Sequence, residues 1–271
     1  MDESDIKNFN HVKVHTQFSI CEGAIKIDDL KDFSKENKIK SLGLSDTTNL
    51  CGALEFAEKL SKVGTQPIIG TQINFKYDDT IGLLPLYALD EEGYKNIIEL
   101  SSLSYLSNDE ILDPHLDFEQ LLKVNKGVAL FSGTVNGLFG ELFNKGKHND
   151  LKELYLKLKS KFKDNFYIEI QRHGDQNEVG FEKFNLSKSL ELEIPLIATH
   201  EVFYINKDMH EAHDALICIK NKTYINEKNR KKYSNQHYFK NNTEMAELFL
   251  DLPEALENNY NFPFRCSFKP S

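Results

Sequence analysis

Short runs rich in β-branched and aromatic residues alternate along this chain with longer stretches whose apolar residues recur three apart, and this alternation constrains the fold most. A strand followed by an amphipathic helix buries its apolar face by laying the helix on a mostly parallel sheet, so the pattern predicts βα units and argues against a sandwich. Seven strands are expected, at 11–15 (HVKVH), 41–45 (SLGLS), 67–75 (PIIGTQINF), 83–88 (LLPLYA), 127–132 (GVALFS), 165–171 (NFYIEIQ) and 194–200 (IPLIATH). Ile27, Leu30 and Phe33 mark one helix over 27–36, and Leu54, Ala57, Leu60 and Val63 mark the next. Further helices are expected at about 90–106, 149–162, 179–193, 207–219 and 242–258. Gly64 and Pro67 read as a helix stop followed by a strand start.

At about 150 residues per domain, 271 residues allow two domains, but an α/β barrel of this size also forms one. No Pro/Gly/Ser linker divides the chain. The expected organisation is a barrel over 1–220, with a basic loop, short acidic helical stretches (244–250 and 253–258) and a tail over 221–271 completing the same domain. The aperiodic ending PFRCSFKPS fits a piece of a longer polypeptide and fits a frayed terminus equally well. Apolar residues at 40% and charged residues at 28% fit a soluble globular protein. There is no apolar run of membrane-spanning length, and the first residues, MDESDIKNFN, are acidic where a signal peptide is basic. A cytoplasmic protein without membrane contact is expected. Cys21, Cys51, Cys218 and Cys266 form no CxxC pair and read as reduced, mostly buried thiols.

Charge narrows the partners. A net charge of −9 repels phosphate backbones over a broad face. The exception is the stretch 220–240, where Lys220, Lys222, Lys228, Arg230, Lys231, Lys232 and Lys240 meet only Glu227, with Tyr224, Tyr233, His237 and Tyr238 interleaved. Such a stretch can track a single strand, but a solvated, partly mobile loop is the plainer reading.

In a parallel barrel the loops after the strands converge on one face, so the residues delivered there carry any chemistry. The first strand delivers His15 and, seven residues on, Glu22, with His11 at its opposite end; the second delivers Asp46 and Thr47; the third Gln72; the sixth Glu169 and His173; the seventh His200 and Glu201. Imidazoles and carboxylates converging from separate strands are the geometry of a metal-dependent hydrolase. Polar residues are also ordinary wherever strand ends meet solvent, no HxH or HxxxD spacing appears at the strand ends, and the carboxamide of Gln72 is a poor ligand for transition metals.

The ordered segments FNHVKVHTQFSICEGAIKIDDL, LGLSDTTNLCGALEFAEKL, QPIIGTQINF, EEGYKNIIEL, FYIEIQRHG and PLIATHEVFYINKDMHEAHDALICI resemble the N-terminal PHP (polymerase and histidinol phosphatase) domain of bacterial DNA polymerase III alpha subunits, over nearly the whole chain. The resemblance implies a distorted (β/α)7 barrel, in agreement with the seven strands. It also implies a set of metal-site positions from which this chain departs. Lys13 stands for the first histidine of His-x-His, Thr47 for a histidine, Gln72 for a glutamate, Leu83 for a histidine and Phe203 for the last histidine, while His15, Glu22 and Glu201 remain. Asp46, His173 and His200 are further polar residues near the site. The resemblance thus implies a degenerate site with no catalytic residue and at most a weakly bound divalent ion, in which Lys13 pairs with Glu22 or Glu201.

Two functions follow from the resemblance. One is a non-catalytic structural and docking domain of a DNA-directed DNA polymerase, lying against the polymerase thumb of the same chain and docking the proofreading exonuclease (epsilon) subunit, with DNA approached only indirectly or through the 220–240 loop. The other is an active metal-dependent phosphoesterase, a 3′–5′ exonuclease or a pyrophosphatase, with His173 and His200 as substitute ligands. A free-standing histidinol-phosphatase-like enzyme would need the intact ligand set.

Overall fold

The computed structural model describes residues 8–106 and 113–271; most of the acidic N-terminal stretch, residues 1–7, lies outside them. The chain runs β1 (Lys13–Val14), α1 (Ile27–Glu36), β2 (Ser41–Thr47), α2 (Ala53–Lys62), β3 (Gln66–Tyr77), β4 (Thr80–Ala88), α3 (Glu91–Leu106), β5 (His115–Asp117), α4 (Phe118–Leu121), β6 (Val128–Phe131), α5 (Leu138–Asn144), α6 (His148–Phe162), β7 (Phe166–Ile170), α7 (Glu178–Leu192), β8 (Leu196–Ala198), β9 (Glu201–Val202), α8 (His210–Asn221), α9 (Asn242–Leu248) and α10 (Pro253–Asn261).

The strand order is β8-β7-β6-β4-β3-β2-β1-β9, with β5 added to β3. Its first and last members are consecutive parts of one extended segment. Leu196–Ala198 pairs with β7, and after Thr199 and His200 the chain passes to Glu201–Val202, which pairs with β1. The order therefore closes on itself as a distorted α/β barrel. All seven expected strands are present, although the first contracts from 11–15 to two residues. β5, β9, α4 and α5 were not expected, being too short to develop a period. The strand 80–88 runs antiparallel to both neighbours because a tight turn at Asp78–Asp79, with Asp78 at φ 53°, folds β3 straight back on itself.

Alternation along the strands divides the interior. Ile68, Tyr87, Ala129, Phe131, Tyr167 and Ile197 fill the lower barrel, and Phe262 closes it from below, 5.1 Å from Phe131 and 5.5 Å from Tyr87 between ring centres. Leu42, Leu44, Ile69 and Val14 point the other way and pack under α1 and α2. Segment 221–271 is fastened to the same body: Asn259 Nδ2 donates to Asn10 O and Ala198 O at 2.9 Å each, and Gln66 Nε2 donates to Pro263 O and Cys266 O. Cys218 and Cys266 are buried, but Cys51 is exposed, so thiol burial is less general than expected. Among the described residues no helix is long and apolar enough to cross a membrane.

Closure brings backbones into contact where only glycine fits. A Cβ on Gly43 would lie 2.2 Å from Val12 O and 2.4 Å from Val12 Cα, both backbone atoms that cannot swing away. Gly43→Ala is expected to lower unfolding free energy by about 1–3 kcal/mol through forced separation of β1 and β2, measured by urea denaturation.

Candidate functional site

The upper half of the barrel interior is polar, and strand register assembles it. β1 and β9 align Lys13 with Glu201, while β2 and β3 align Thr47 with Gln72. In a parallel ladder, aligned residues share a face, so these side chains meet inside the ring. Glu169 enters from β7, and His15 follows two residues after Lys13.

Lys13 is fully buried. Its Nζ lies 3.3 Å from Glu169 Oε1 and 3.7 Å from Glu201 Oε1. Glu169 Oε1 also accepts from Gln171 Nε2 at 2.9 Å and from the Thr199 hydroxyl. Glu201 Oε1 lies 3.0 Å from His15 Nε2 and accepts from Gln72 Nε2 at 2.9 Å. Burial alone would raise the Glu201 carboxyl, but Lys13 and the His15 contact hold it well below the usual carboxylate range. The expected pairing of Lys13 with Glu201 is thus present, but its nearer partner is Glu169 and not Glu22. Glu22 is held at the rim, accepting from Thr47 Oγ1 at 2.6 Å and lying 3.3 Å from Lys220 Nζ. Burial opposes its ionised form, yet His15, Lys220 and Thr47 keep its pKa low.

The remaining expected positions separate. Asp46 is a bracket for the loop after β1, accepting from Thr16 N at 2.6 Å, Thr16 Oγ1 at 2.7 Å and Ser19 Oγ at 2.8 Å. Because Ser19 gives its only proton to Asp46, its oxygen accepts from His15 Nδ1 at 3.0 Å, which fixes the ring. Phe203 packs its ring 4.6 Å from His15 and 5.1 Å from His213, sealing the mouth with apolar surface. Leu83 faces Asn74 across the hairpin, two aligned pairs beyond Gln72 and Pro85. His200 bonds the carbonyl of Tyr238 and stacks at 4.5 Å on His173. His173 in turn accepts from Glu201 N at 3.2 Å. Neither ring is aimed at the carboxylates of the mouth, and burial pushes both well below the usual histidine pKa.

Gln171, Thr199, Ser19 and His237 belong to this network and were missed in the sequence. Gln171 and Thr199 were legible by period-two reasoning, each lying two residues from a candidate carboxylate. His237 was not, since nothing local ties it to residue 173. Its ring stacks on His173 at 4.0 Å with planes 2° apart, and its Nε2 lies 3.1 Å from Asp175 Oδ2. His173, Asp175 and His237 bring ligand-type atoms within 4.8 Å of one another. An imidazole holds an ion along a lone pair in its own plane, and parallel stacked planes do not meet, so these rings as oriented cannot share one ion.

The basic stretch is exposed over most of 221–232, as expected, but parts of it are tied down. Arg230 forks onto Asp214, with contacts at 2.6 and 2.5 Å, and Lys240 is buried 4.0 Å above the Tyr238 ring. Residues 233–239 fold over the strand ends: Phe203 N donates to His237 O, Ser234 Oγ donates to His173 O, and Phe239 N donates to Tyr204 O.

The PHP domain family model matches residues 11–173. The chain is 33% identical over 281 aligned residues to DNA polymerase III subunit alpha of Caulobacter vibrioides, covering 99% of this chain and 24% of the relative. The corresponding proteins of Rickettsia felis and Haemophilus influenzae are 38% and 32% identical, over 96% of this chain in both cases and over 22% and 23% of the relatives. The chain thus spans about a quarter of the length of these curated relatives. A solved putative metal-dependent phosphoesterase from Bifidobacterium adolescentis aligns with TM-score 0.34 and 12% identity over 71% of this chain and 86% of that one, a likeness too low to argue from.

Removing the ammonium would strand two buried carboxylates. Lys13→Met is expected to cost about 3–5 kcal/mol in urea denaturation at pH 7, and adding Glu169→Gln should recover part of it. Histidines give a second expectation. Burial lowers His11 and His213 to about 4, so each binds its proton on unfolding between that value and 6.5. The unfolded chain holds more protons in that window, so the contribution is complete above about pH 6.5 and is lost as pH falls toward 4. His11→Gln should flatten the stability–pH slope by up to about 1.4 kcal/mol per pH unit there, read from denaturation midpoints between pH 4 and 7.

Proposed function

The chain belongs to the PHP domain family, and we propose that it is a non-catalytic structural and docking domain of a DNA polymerase III alpha subunit, with an internal ion pair in place of metal ions. The observation that carries this reading is Lys13 Nζ between Glu169 and Glu201 at 3.3 and 3.7 Å. A metal cluster requires anionic and imidazole lone pairs free to converge on a cation. Here the carboxylates already face a fixed cation, Gln72 presents an N–H toward Glu201, and Glu22 is turned to Lys220. That donor set does not fit the metal cluster of an active PHP site. Phe203 adds an apolar ring where an ion would need a ligand.

A domain without chemistry still offers a rigid surface, and a preorganised surface loses little entropy on binding. Its relatives are large polymerase subunits, which makes the remainder of a longer chain one partner, with the thumb as the neighbouring element. The proofreading exonuclease (epsilon) subunit is the partner proposed in trans. With a net charge of −9 in the 271-residue chain, a protein contact is favoured over a broad DNA contact.

The test combines metal content with turnover. The purified chain should carry less than one equivalent of divalent ion by mass spectrometry of its metals, cleave neither phosphodiesters nor pyrophosphate, and retain the exonuclease subunit in a pull-down. Combining Lys13→His, Thr47→His, Gln72→Glu, Leu83→His and Phe203→His should raise zinc or manganese affinity at least ten-fold in titration calorimetry. A tightly bound cluster with metal-dependent turnover in the unaltered chain would establish the phosphoesterase reading instead.

A further inference from the structure

The basic loop is a feature that an inert, docking barrel leaves unused. Of the seven cations between residues 220 and 240, four have a partner: Lys220 with Glu22, Arg230 with Asp214, Lys240 over Tyr238, and Lys231 4.9 Å from the centre of the Tyr233 ring. Lys222, Lys228, Lys231 and Lys232 are exposed and, among the described residues, have no carboxylate within ion-pair distance. The one acid of the stretch does not neutralise them. Glu227 is exposed but bonds the turn and not a lysine, its Oε1 accepting from Tyr224 N at 2.9 Å while its own N–H donates to Tyr224 O at 3.0 Å. Arg230 Nε also donates to Ile225 O at 3.3 Å, drawing the two sides of the loop together. The loop's internal bonds therefore engage its acid and its guanidinium and leave the ammonium groups of Lys222, Lys228 and Lys232 facing water, with that of the exposed Lys231 over the Tyr233 ring.

An aromatic side chain stands among them. Tyr224 is 76% exposed and Ile225 57%, in a turn held by Glu227. A large ring presented to solvent in a stretch of exposed cations suits a ligand that carries both negative charge and flat apolar faces. A single-stranded nucleic acid offers both, since its phosphates can meet the lysines while an unstacked base lies on the ring. A duplex keeps its bases stacked and would bring a rigid rod of charge against an acidic body. An acidic peptide satisfies the lysines and leaves the ring unused. We infer that the loop 222–232 is a binding site for single-stranded nucleic acid, with Lys222, Lys228, Lys231 and Lys232 on phosphates and Tyr224 stacked on a base. This goes beyond the docking reading and does not depend on what occupies the barrel mouth.

The test is fluorescence anisotropy of a labelled oligo-dT of about 20 nucleotides titrated with the 271-residue chain across a salt series. Up to four phosphate contacts at about 0.7 ions each give a log–log salt slope between about −2 and −3. Tyr224→Ala should weaken binding about five-fold or more with the slope unchanged, the loss of one stacked base. Lys231→Glu with Lys232→Glu should weaken binding at least ten-fold and make the slope shallower. Lys35→Glu with Lys62→Glu, on exposed helical positions elsewhere, changes net charge equally and should weaken it far less. Thermal melts of each variant, matched to the parent, separate lost contacts from lost folding. Equal losses for both lysine pairs, indifference to Tyr224→Ala, or equal displacement by poly-glutamate would overturn the inference.

Discussion

The upper barrel depends on one ammonium group. Without Lys13, register would drive Glu169 and Glu201 into the same dry space as like charges, and one of them would have to take up a proton. With it, both carboxylates face a cation, and their other contacts fall into place: Gln171 and Thr199 on Glu169, His15 and Gln72 on Glu201. A lysine differs from a divalent ion in the way that matters for chemistry. It supplies positive charge and donors but no open coordination position, so it can hold carboxylates together and cannot polarise a phosphoryl oxygen or acidify a water as a metal does. The buried trio need not add net stability over an apolar core, but removing one member is costly.

Around that centre the side chains close the mouth instead of lining a cleft. Phe203, His213 and Tyr233 form an aromatic cover, and residues 233–239 bond back onto the strand ends through His173, Glu201 and Phe203. The loop that closes the barrel therefore also sets the position of the exposed lysines that precede it. Structure at the mouth and charge at the rim are two consequences of one folded segment.

Much of the fold was legible because it rests on period. The strands at 41–45, 67–75, 83–88, 127–132, 165–171 and 194–200 were visible as runs, and the helices over 27–36 and 54–63 as three-residue spacings. What stayed hidden lacks a period: β9 has two residues, β5 three, and the break at Thr199–His200 that lets one segment serve both ends of the barrel depends on closure. The site was partly legible. Lys13, His15, Gln72 and Glu201 do converge, and Glu169 was on the strand end where the pattern put it. Its role as the nearer partner of Lys13 comes from register between strands far apart in sequence, as does the separation of Glu22 toward Lys220. Leu83, and the stacking of His173 on His237, lay equally beyond local reading.

On this reading a side-chain cation occupies the position of a metal. The most direct measurement is a crystal structure of the chain grown with manganese or zinc, with anomalous scattering recorded around His15, Glu22 and Glu201. Lys13 Nζ should be in contact with Glu169 and Glu201, with no anomalous peak within about 2.3 Å of their oxygens. An ion bound there by His15, Glu22 and Glu201, with Lys13 displaced from the carboxylates, would contradict it.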